Sequence, residues 1–236
     1  MVIPLLLLAC LSALAPPAVV DAGSLEQPRQ RLRAMNIKPE ALDRLLEDVR
    51  AASFPELRDS PLTIERFRSD TVFFMSNVDV ASAFDDDGPL VLQVFINDAV
   101  LQDGPGDEAL RAVLAHELAH SLDYVQRDAA EGPGGLLALL PMLVWPPAEE
   151  VVERRTDLVA VRRGYGVGLA AYRQWLYQRL PADAVLEKRR VYYSPLELLL
   201  LQRLQTRCPD ALEAALEHPP TTAAAIARLA PAGCFG

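Results

Sequence analysis

The segment 112–124, AVLAHELAHSLDY, holds two of the three histidines in the chain, four residues apart. Residues four apart on an α-helix share one face, with Cβ atoms roughly 5–6 Å apart, so His116 and His120 could direct imidazole nitrogens at one ion. Glu117 faces an adjacent side, from which its carboxylate could reach a water beside that ion. Catalytic zinc takes three protein ligands and a water. The His-Glu-x-x-His pattern therefore predicts a zinc site with a general base.

The third ligand is predicted from the acidic stretch 149–157, EEVVERRTD. Glu153 and Asp157 are four residues apart and would share one helical face. We assign Glu153 to the metal. We expect Asp157 to hold His116, because a histidine ligand usually donates its second N–H to a carboxylate. Two other acidic residues remain open as the ligand, Glu149 and Glu150, and the alternative interpretation of this stretch is a solvated acidic face.

The pattern of apolar residues predicts the elements that must carry these side chains. Two β-rich runs separated by the turn DDDG indicate a small sheet. Helical patterns dominate the rest of the chain and predict a mainly α fold with a small β-sheet, of the α+β class. The predicted helices are 24–57, 107–127, 148–163 and most of the chain from there to 229, and the predicted strands are 71–76 and 90–97.

The N-terminus is typical of a targeting segment. An apolar run is followed by small residues, which predicts a signal peptide over 1–22. A lipoprotein signal with attachment at Cys10 is the alternative. We expect export to the periplasm or the extracellular space, with or without a lipid anchor. The remaining chain divides into an N-terminal helical segment, 23–69, and the metal-binding domain, 70–236.

Composition and charge narrow the range of partners. The formal net charge is −9 and no basic stripe is present, which argues against nucleic acid. The run 136–145, LLALLPMLVW, is too short to cross a bilayer, which takes roughly 20 apolar residues. We expect it to belong to the core, with a lid over a cleft or a peripheral membrane contact as alternatives.

Two cysteines would remain after cleavage of a signal peptide, Cys208 and Cys234. An exported protein meets an oxidising compartment, in which two such thiols can pair. The sequence favours a disulfide between them over two buried thiols.

The chain resembles the gluzincin metallopeptidases, and especially the HtpX and CaaX-prenyl-protease group with its periplasmic relatives. The resemblance covers roughly 70–230, about two-thirds of the chain by the usual domain measure. NVDVASAF and VFINDAVLQ are similar to the strand and short helix that precede the motif helix in that group. The successive motifs that carry the resemblance are DEALRAVLAHELAHSLDY, ERRTDLVAVRRGYG and EHPPTTAAAIARL.

The resemblance implies a zincin-like fold, with His116, His120 and Glu153 as ligands and Glu117 as the general base. It also implies that His218 lies in the cleft and contacts the substrate carbonyl or the transition state. The chain departs from the group in two respects. The arginine that follows His-Pro there is displaced to Arg228, and the transmembrane segments of some relatives are absent.

These observations together predict an exported zinc-dependent endopeptidase acting on proteins or peptides, with one zinc ion per chain. His218 is the first choice for stabilising the transition state, followed by Tyr192 or Tyr193. The strand VLQVF is expected at a sheet edge, where it could pair with an extended substrate. The alternatives are a catalytically silent zinc-containing binding or chaperone-like module, and a helical interaction protein without metal.

Overall fold

Helices dominate the chain and surround one small sheet. The computed structural model describes residues 37–85, 88–137 and 146–230, without the side chains of 133 and 134. All of them belong to one compact unit, Leu32–Gly236. The α-helices in these ranges are α1 Pro39–Ser53, α2 Asp98–Gln102, α3 Asp107–Glu131, α4 Pro133–Leu137, α5 Pro146–Arg162, α6 Gly166–Tyr177, α7 Ala182–Val191, α8 Pro195–Arg207, α9 Pro209–Ala214 and α10 Ala223–Leu229. The predicted α+β class is confirmed.

The sheet has three strands, β1 Leu62–Phe67, β2 Phe74–Val78 and β3 Leu92–Asn97, in the order β1-β3-β2. β3 runs parallel to β1 and antiparallel to β2. The prediction that VLQVF forms an edge strand is therefore wrong, because β3 is paired on both sides. The edge strand next to the motif helix is β2, which packs against α3.

β1 has no counterpart among the predicted elements. Its sequence LTIERF lacks the apolar run that marks β3, and none of its residues is fully buried. β1 lies before residue 70 and is paired with β3 throughout. The sheet thus takes strands from both sides of the predicted boundary at residue 70.

α3 is the central helix, and its residues from Ala109 to Leu122 are buried on almost every side. α1 and β2 pack on it from the N-terminal half of the chain, and α5 and α6 pack on it from the C-terminal half. α6 approaches closely at Gly168, where a Cβ would lie 2.5 Å from the Glu108 carbonyl oxygen. Gly164, with a φ of 92°, allows the chain to reverse between α5 and α6.

Several predictions concern residues outside the described ranges. These are the signal peptide 1–22, the alternative lipid site Cys10, the residue Cys234 and most of the apolar run, 138–145. Of that run, Leu136 packs against the core and Leu137 is exposed. Cys208 is disulfide-bonded. The chain has only three cysteines, so its partner lies outside the described residues, and the pairing with Cys234 stays a prediction.

Candidate metal centre

The two motif histidines lie one turn apart in the buried part of α3. Their rings are 4.9 Å apart between centroids and nearly perpendicular, at 86°. Both side chains are almost inaccessible to solvent. Burying polar side chains on such a helix costs free energy unless they gain a hydrogen-bond or ion-pair partner.

Glu153 of α5 supplies the partner that both histidines share. Its Oε2 atom lies 3.2 Å from Nε2 of His116 and 3.1 Å from Nε2 of His120. One ligand atom from each of the three residues lies within 4.8 Å of the others, so this buried group could hold a metal ion.

A neighbouring side chain contacts the Nδ1 atom of each imidazole. Nδ1 of His116 lies 2.9 Å from Oδ1 of Asp157, an ion-pair contact that lacks hydrogen-bond geometry. Nδ1 of His120 lies 3.3 Å from Oγ1 of Thr156. That hydroxyl donates its own proton to the Val152 carbonyl, so it can only accept from the ring. These contacts at Nδ1 leave the Nε2 atom of both histidines facing Glu153.

Two of the three separations in this group match those of ligand atoms at a tetrahedral metal site. Ligand atoms about 2.0–2.1 Å from a zinc ion are about 3.3 Å apart when they sit at tetrahedral corners. The separations between Glu153 Oε2 and the two Nε2 atoms are close to that spacing. Two imidazole lone pairs and a carboxylate directed at one point repel each other unless a cation lies between them.

The pKa values of the metal-free side chains also favour a positive charge at this site. Burial lowers the pKa of His116, but contacts with Asp157 and Glu153 outweigh this effect and raise it to about 10. Burial likewise opposes the ionised form of Glu153, yet His120 and His116 hold the pKa of this carboxyl well below its ordinary value. The group thus binds a proton strongly when no metal ion takes its place.

Glu117 lies beside the three ligands without joining them. It is buried, and its carboxylate makes no hydrogen bond or ion pair within the described part of the chain. Burial raises the pKa of Glu117, which the two histidines partly oppose. A cavity of about 30 Å³ opens next to it, with His116, Arg173 and Tyr192 among its walls. Glu117 therefore has the placement of a proton acceptor rather than a ligand.

Arg173 of α6 connects the metal centre to the fold. Its guanidinium donates to Oδ1 of Asp157 at 3.0 Å, and the backbone N–H of Tyr193 donates to Oδ2 at 3.3 Å. The same guanidinium lies over the Tyr192 ring, 4.2 Å from its centroid. Asp157 is completely buried. Arg173 thus balances its charge and fixes the carboxylate that faces His116.

The role of Asp157 can be tested through metal affinity. Asp157→Asn removes the charge that orients His116, and losing such an outer partner typically weakens metal binding about 10–100-fold. Competition with a chromophoric chelator measures the affinity. Asp123→Asn is the control, because Asp123 lies in α3 three residues after His120 but pairs with Arg127 and Arg155. Equal affinities for the two variants would show that Asp157 does not orient the ligand.

His218, predicted as a cleft residue, is not brought to the other site residues. Its side chain is exposed and makes no ring contact, hydrogen bond or ion pair in the described ranges. The nearby backbone does approach α5, since the guanidinium of Arg154 lies 3.5 Å from the Pro220 carbonyl. Of the other candidate ligands, Glu150 pairs with Arg154 at 3.2 Å, and Glu149 is half-buried near Arg190.

Four residues at the site were either not predicted from the sequence or predicted without a position near the metal ligands. Thr156 could have been found, since it lies three residues after Glu153 on the same helical face. The others come from α6, α7 and the residue that follows α7, and no local spacing connects them to the motif. They are Arg173, Lys188 and Tyr192.

Among the described residues, no helix combines the length and apolar character needed to span a membrane. Neither a family model nor a curated protein nor a solved structure matches the chain.

Proposed function

We propose that this protein is a zinc-dependent endopeptidase of the gluzincin type, with the zincin-like fold that this implies. The observation that carries the proposal is the position of Glu117 beside three converging ligands, as a buried carboxylate that none of the described residues pairs with. A site that only stabilised the fold would not need this group. The proposal includes export to the periplasm or beyond, which rests on the N-terminal sequence.

Zinc is the metal that we propose for the site. Two imidazoles and one carboxylate are a donor set typical of catalytic zinc, in which the fourth position remains open. Calcium and magnesium prefer oxygen donors alone. Asp157 and Thr156 contact the Nδ1 atoms, which leaves Nε2 of each imidazole for a metal that binds neutral imidazole.

Glu117 carries the proton transfers in the proposed reaction. A bound zinc ion would polarise the scissile carbonyl and make a water acidic enough to react near neutral pH. Glu117 accepts the proton of the water that attacks the carbonyl carbon. As the C–N bond breaks, it donates that proton to the leaving amine. The raised pKa of the buried Glu117 carboxyl suits a group that must both accept and donate.

β2 offers a place for the substrate backbone. It is an edge strand beside α3, and the residues 71–74 that lead into it form one wall of the cavity next to Glu117. An extended peptide can add to such an edge through main-chain hydrogen bonds, which give affinity with little sequence preference. This assigns to β2 the substrate contact that the sequence suggested for β3.

Tyr192 is the proposed donor to the transition state. Its ring lies 6.0 Å from the His116 ring and lines the cavity, and its pKa is raised well above the ordinary value, mainly by burial, so the hydroxyl stays protonated. Tyr193 lies in the apolar core beneath Arg154. His218 is exposed to solvent. Of the three candidates, Tyr192 alone is among the residues lining the cavity.

The decisive experiment compares two histidine substitutions. His120→Ala removes a ligand and is expected to abolish stoichiometric zinc, whereas His218→Ala removes an exposed histidine and is expected to retain it. Elemental analysis of the purified proteins gives the metal content. Casein degradation with and without a chelator is expected to follow it, with activity in the wild type only before chelation.

Three outcomes would oppose the proposal in different ways. Wild type without metal would exclude a metalloenzyme and leave a helical interaction protein. Full zinc with no degradation of casein or of unstructured peptides would favour a binding or chaperone-like module. Zinc that persists in His120→Ala would place the metal elsewhere on the chain.

A further inference from the structure

Lys188 lines the cavity beside Glu117 and pairs with no carboxylate of the described residues. It lies in α7, which packs against the Glu153-bearing helix α5. Its ammonium lies 5.2 Å from the centroid of the Tyr192 ring. Within the described ranges it makes no hydrogen bond and no ion pair with a carboxylate. A partly buried lysine in this situation has lost water without gaining a counter-ion.

The second cation of the cavity is already engaged. Arg173 lines the same space, but its guanidinium is bonded to Asp157. Lys188 is therefore the cationic wall residue whose charge is still available to a ligand. Phe73, Phe74 and Tyr192 also line the cavity, and aromatic walls exclude water from a bound group and strengthen its electrostatic contacts.

A bound metal ion would leave the Lys188 ammonium in need of an anion. Burial lowers the pKa of Lys188, and the carboxylate that most opposes this effect is that of Glu153. A divalent ion held by His116, His120 and Glu153 would take up the charge of Glu153. The ammonium would then face a centre of net positive charge, and a negatively charged group between the two would be stabilised by both.

The size of the cavity limits what that group can be. A volume of about 10–15 Å³ holds one water molecule, so the cavity of about 30 Å³ has room for roughly two waters. A carboxylate group is small enough to occupy such a space.

We propose that Lys188 determines specificity by binding a carboxylate of the substrate next to the scissile bond. The inference rests on the proposed peptidase function. The carboxylate is either the side chain of an aspartate or glutamate or the C-terminus of the peptide. Charge-assisted hydrogen bonds of this kind favour the charged ligand by about 10-fold to 100-fold over a neutral isostere.

The test uses zinc-loaded full-length protein and a peptide library, with cleavage sites read by mass spectrometry. Wild type is expected to cleave next to acidic residues, with kcat/KM about 10-fold to 100-fold higher for a glutamate peptide than for its glutamine counterpart. Lys188→Glu is expected to shift the preference to lysine and arginine. Arg189→Glu carries the same charge change on an exposed neighbour and should keep the acidic preference.

Two further arms separate the possible sources and the possible failures. Peptides with amidated C-termini keep the preference if a side chain is recognised, and lose it if the terminal carboxylate is recognised. Calorimetric titration of the glutamate and glutamine peptides into zinc-loaded Glu117→Gln measures recognition without turnover, and adding Lys188→Met should equalise the two affinities.

Cleavage without acidic preference, or an unchanged preference in Lys188→Glu, would overturn the inference. A wild type that cleaves no peptide would instead oppose the peptidase function. In that case equal binding of the two peptides would remove the role of Lys188 as well, whereas tighter binding of the glutamate peptide that depends on Lys188 would leave it standing as a binding site.

Discussion

Glu117→Gln is expected to lower peptide hydrolysis by about 10²–10⁴-fold, the usual contribution of a general acid–base group, while the zinc content stays at the wild-type level. Glutamine has nearly the same shape as glutamate but cannot accept the proton of the attacking water. The Glu117 carboxylate makes no hydrogen bond or ion pair within the described residues, so the substitution breaks no contact there. Elemental analysis and steady-state kinetics measure the two effects.

The same substitution should not destabilise the protein. Burial raises the pKa of Glu117, which means that the folded state disfavours the ionised form relative to the unfolded chain. Above the folded-state pKa this group therefore opposes folding, and removing its charge relieves the cost. At neutral pH and without metal, the free energy of unfolding of Glu117→Gln should equal or exceed that of the wild type.

Glu108→Gln is the matched control for this experiment. Glu108 is an exposed acid in the first turn of the same helix, so the identical chemical change occurs away from the cavity. This variant should keep both zinc and activity. Turnover by Glu117→Gln close to that of Glu108→Gln would remove Glu117 from the reaction.

The candidate site could be predicted from the sequence where it depends on helical spacing. His116 and His120 are one turn apart, as are Glu153 and Asp157, and a single helix fixes each pair geometrically. The structure brings these four side chains together. What the sequence could not supply was the packing of α6 and α7 on this pair of helices, because it depends on contacts such as the close approach at Gly168. Arg173 and Lys188 were missed for that reason.

The fold, like the site, could be predicted from the sequence only in part. α3 and α5 begin within two residues of the predicted starts, 107 and 148. α1 covers only Pro39–Ser53 of the predicted helix 24–57, and residues 24–36 lie outside the described ranges. The order of the strands could not be predicted, because β1 has no strongly buried face. Its sequence therefore does not identify it as the strand that pairs with β3. Without β1, the sequence pattern leaves β3 at the edge of the sheet, and the substrate contact was therefore predicted on β3 instead of β2.

Arg173→Met is expected to cause the largest loss of stability among the substitutions considered, about 3–5 kcal/mol, the usual cost of leaving one member of a buried ion pair uncompensated. Asp157 is completely buried, and Arg173 is the leading electrostatic cause of the low pKa of this carboxyl, against the opposing effect of burial. Methionine fills similar space but deprives the carboxylate of the guanidinium, the charge that most lowers its pKa. Urea unfolding of metal-free protein gives the free energy directly.

Two variants show whether the orphaned charge is the cause. Arg111→Met breaks an exposed i,i+4 pair with Asp107 and should cost only about 0.3–0.5 kcal/mol. Combining Arg173→Met with Asp157→Asn removes both charges and should recover most of the loss, since no buried charge is left unpaired. If the double variant is as unstable as the sum of the two single variants, the loss comes from packing against Tyr192 and Tyr172, and the fold does not use Arg173 to hold Asp157 in its charged form.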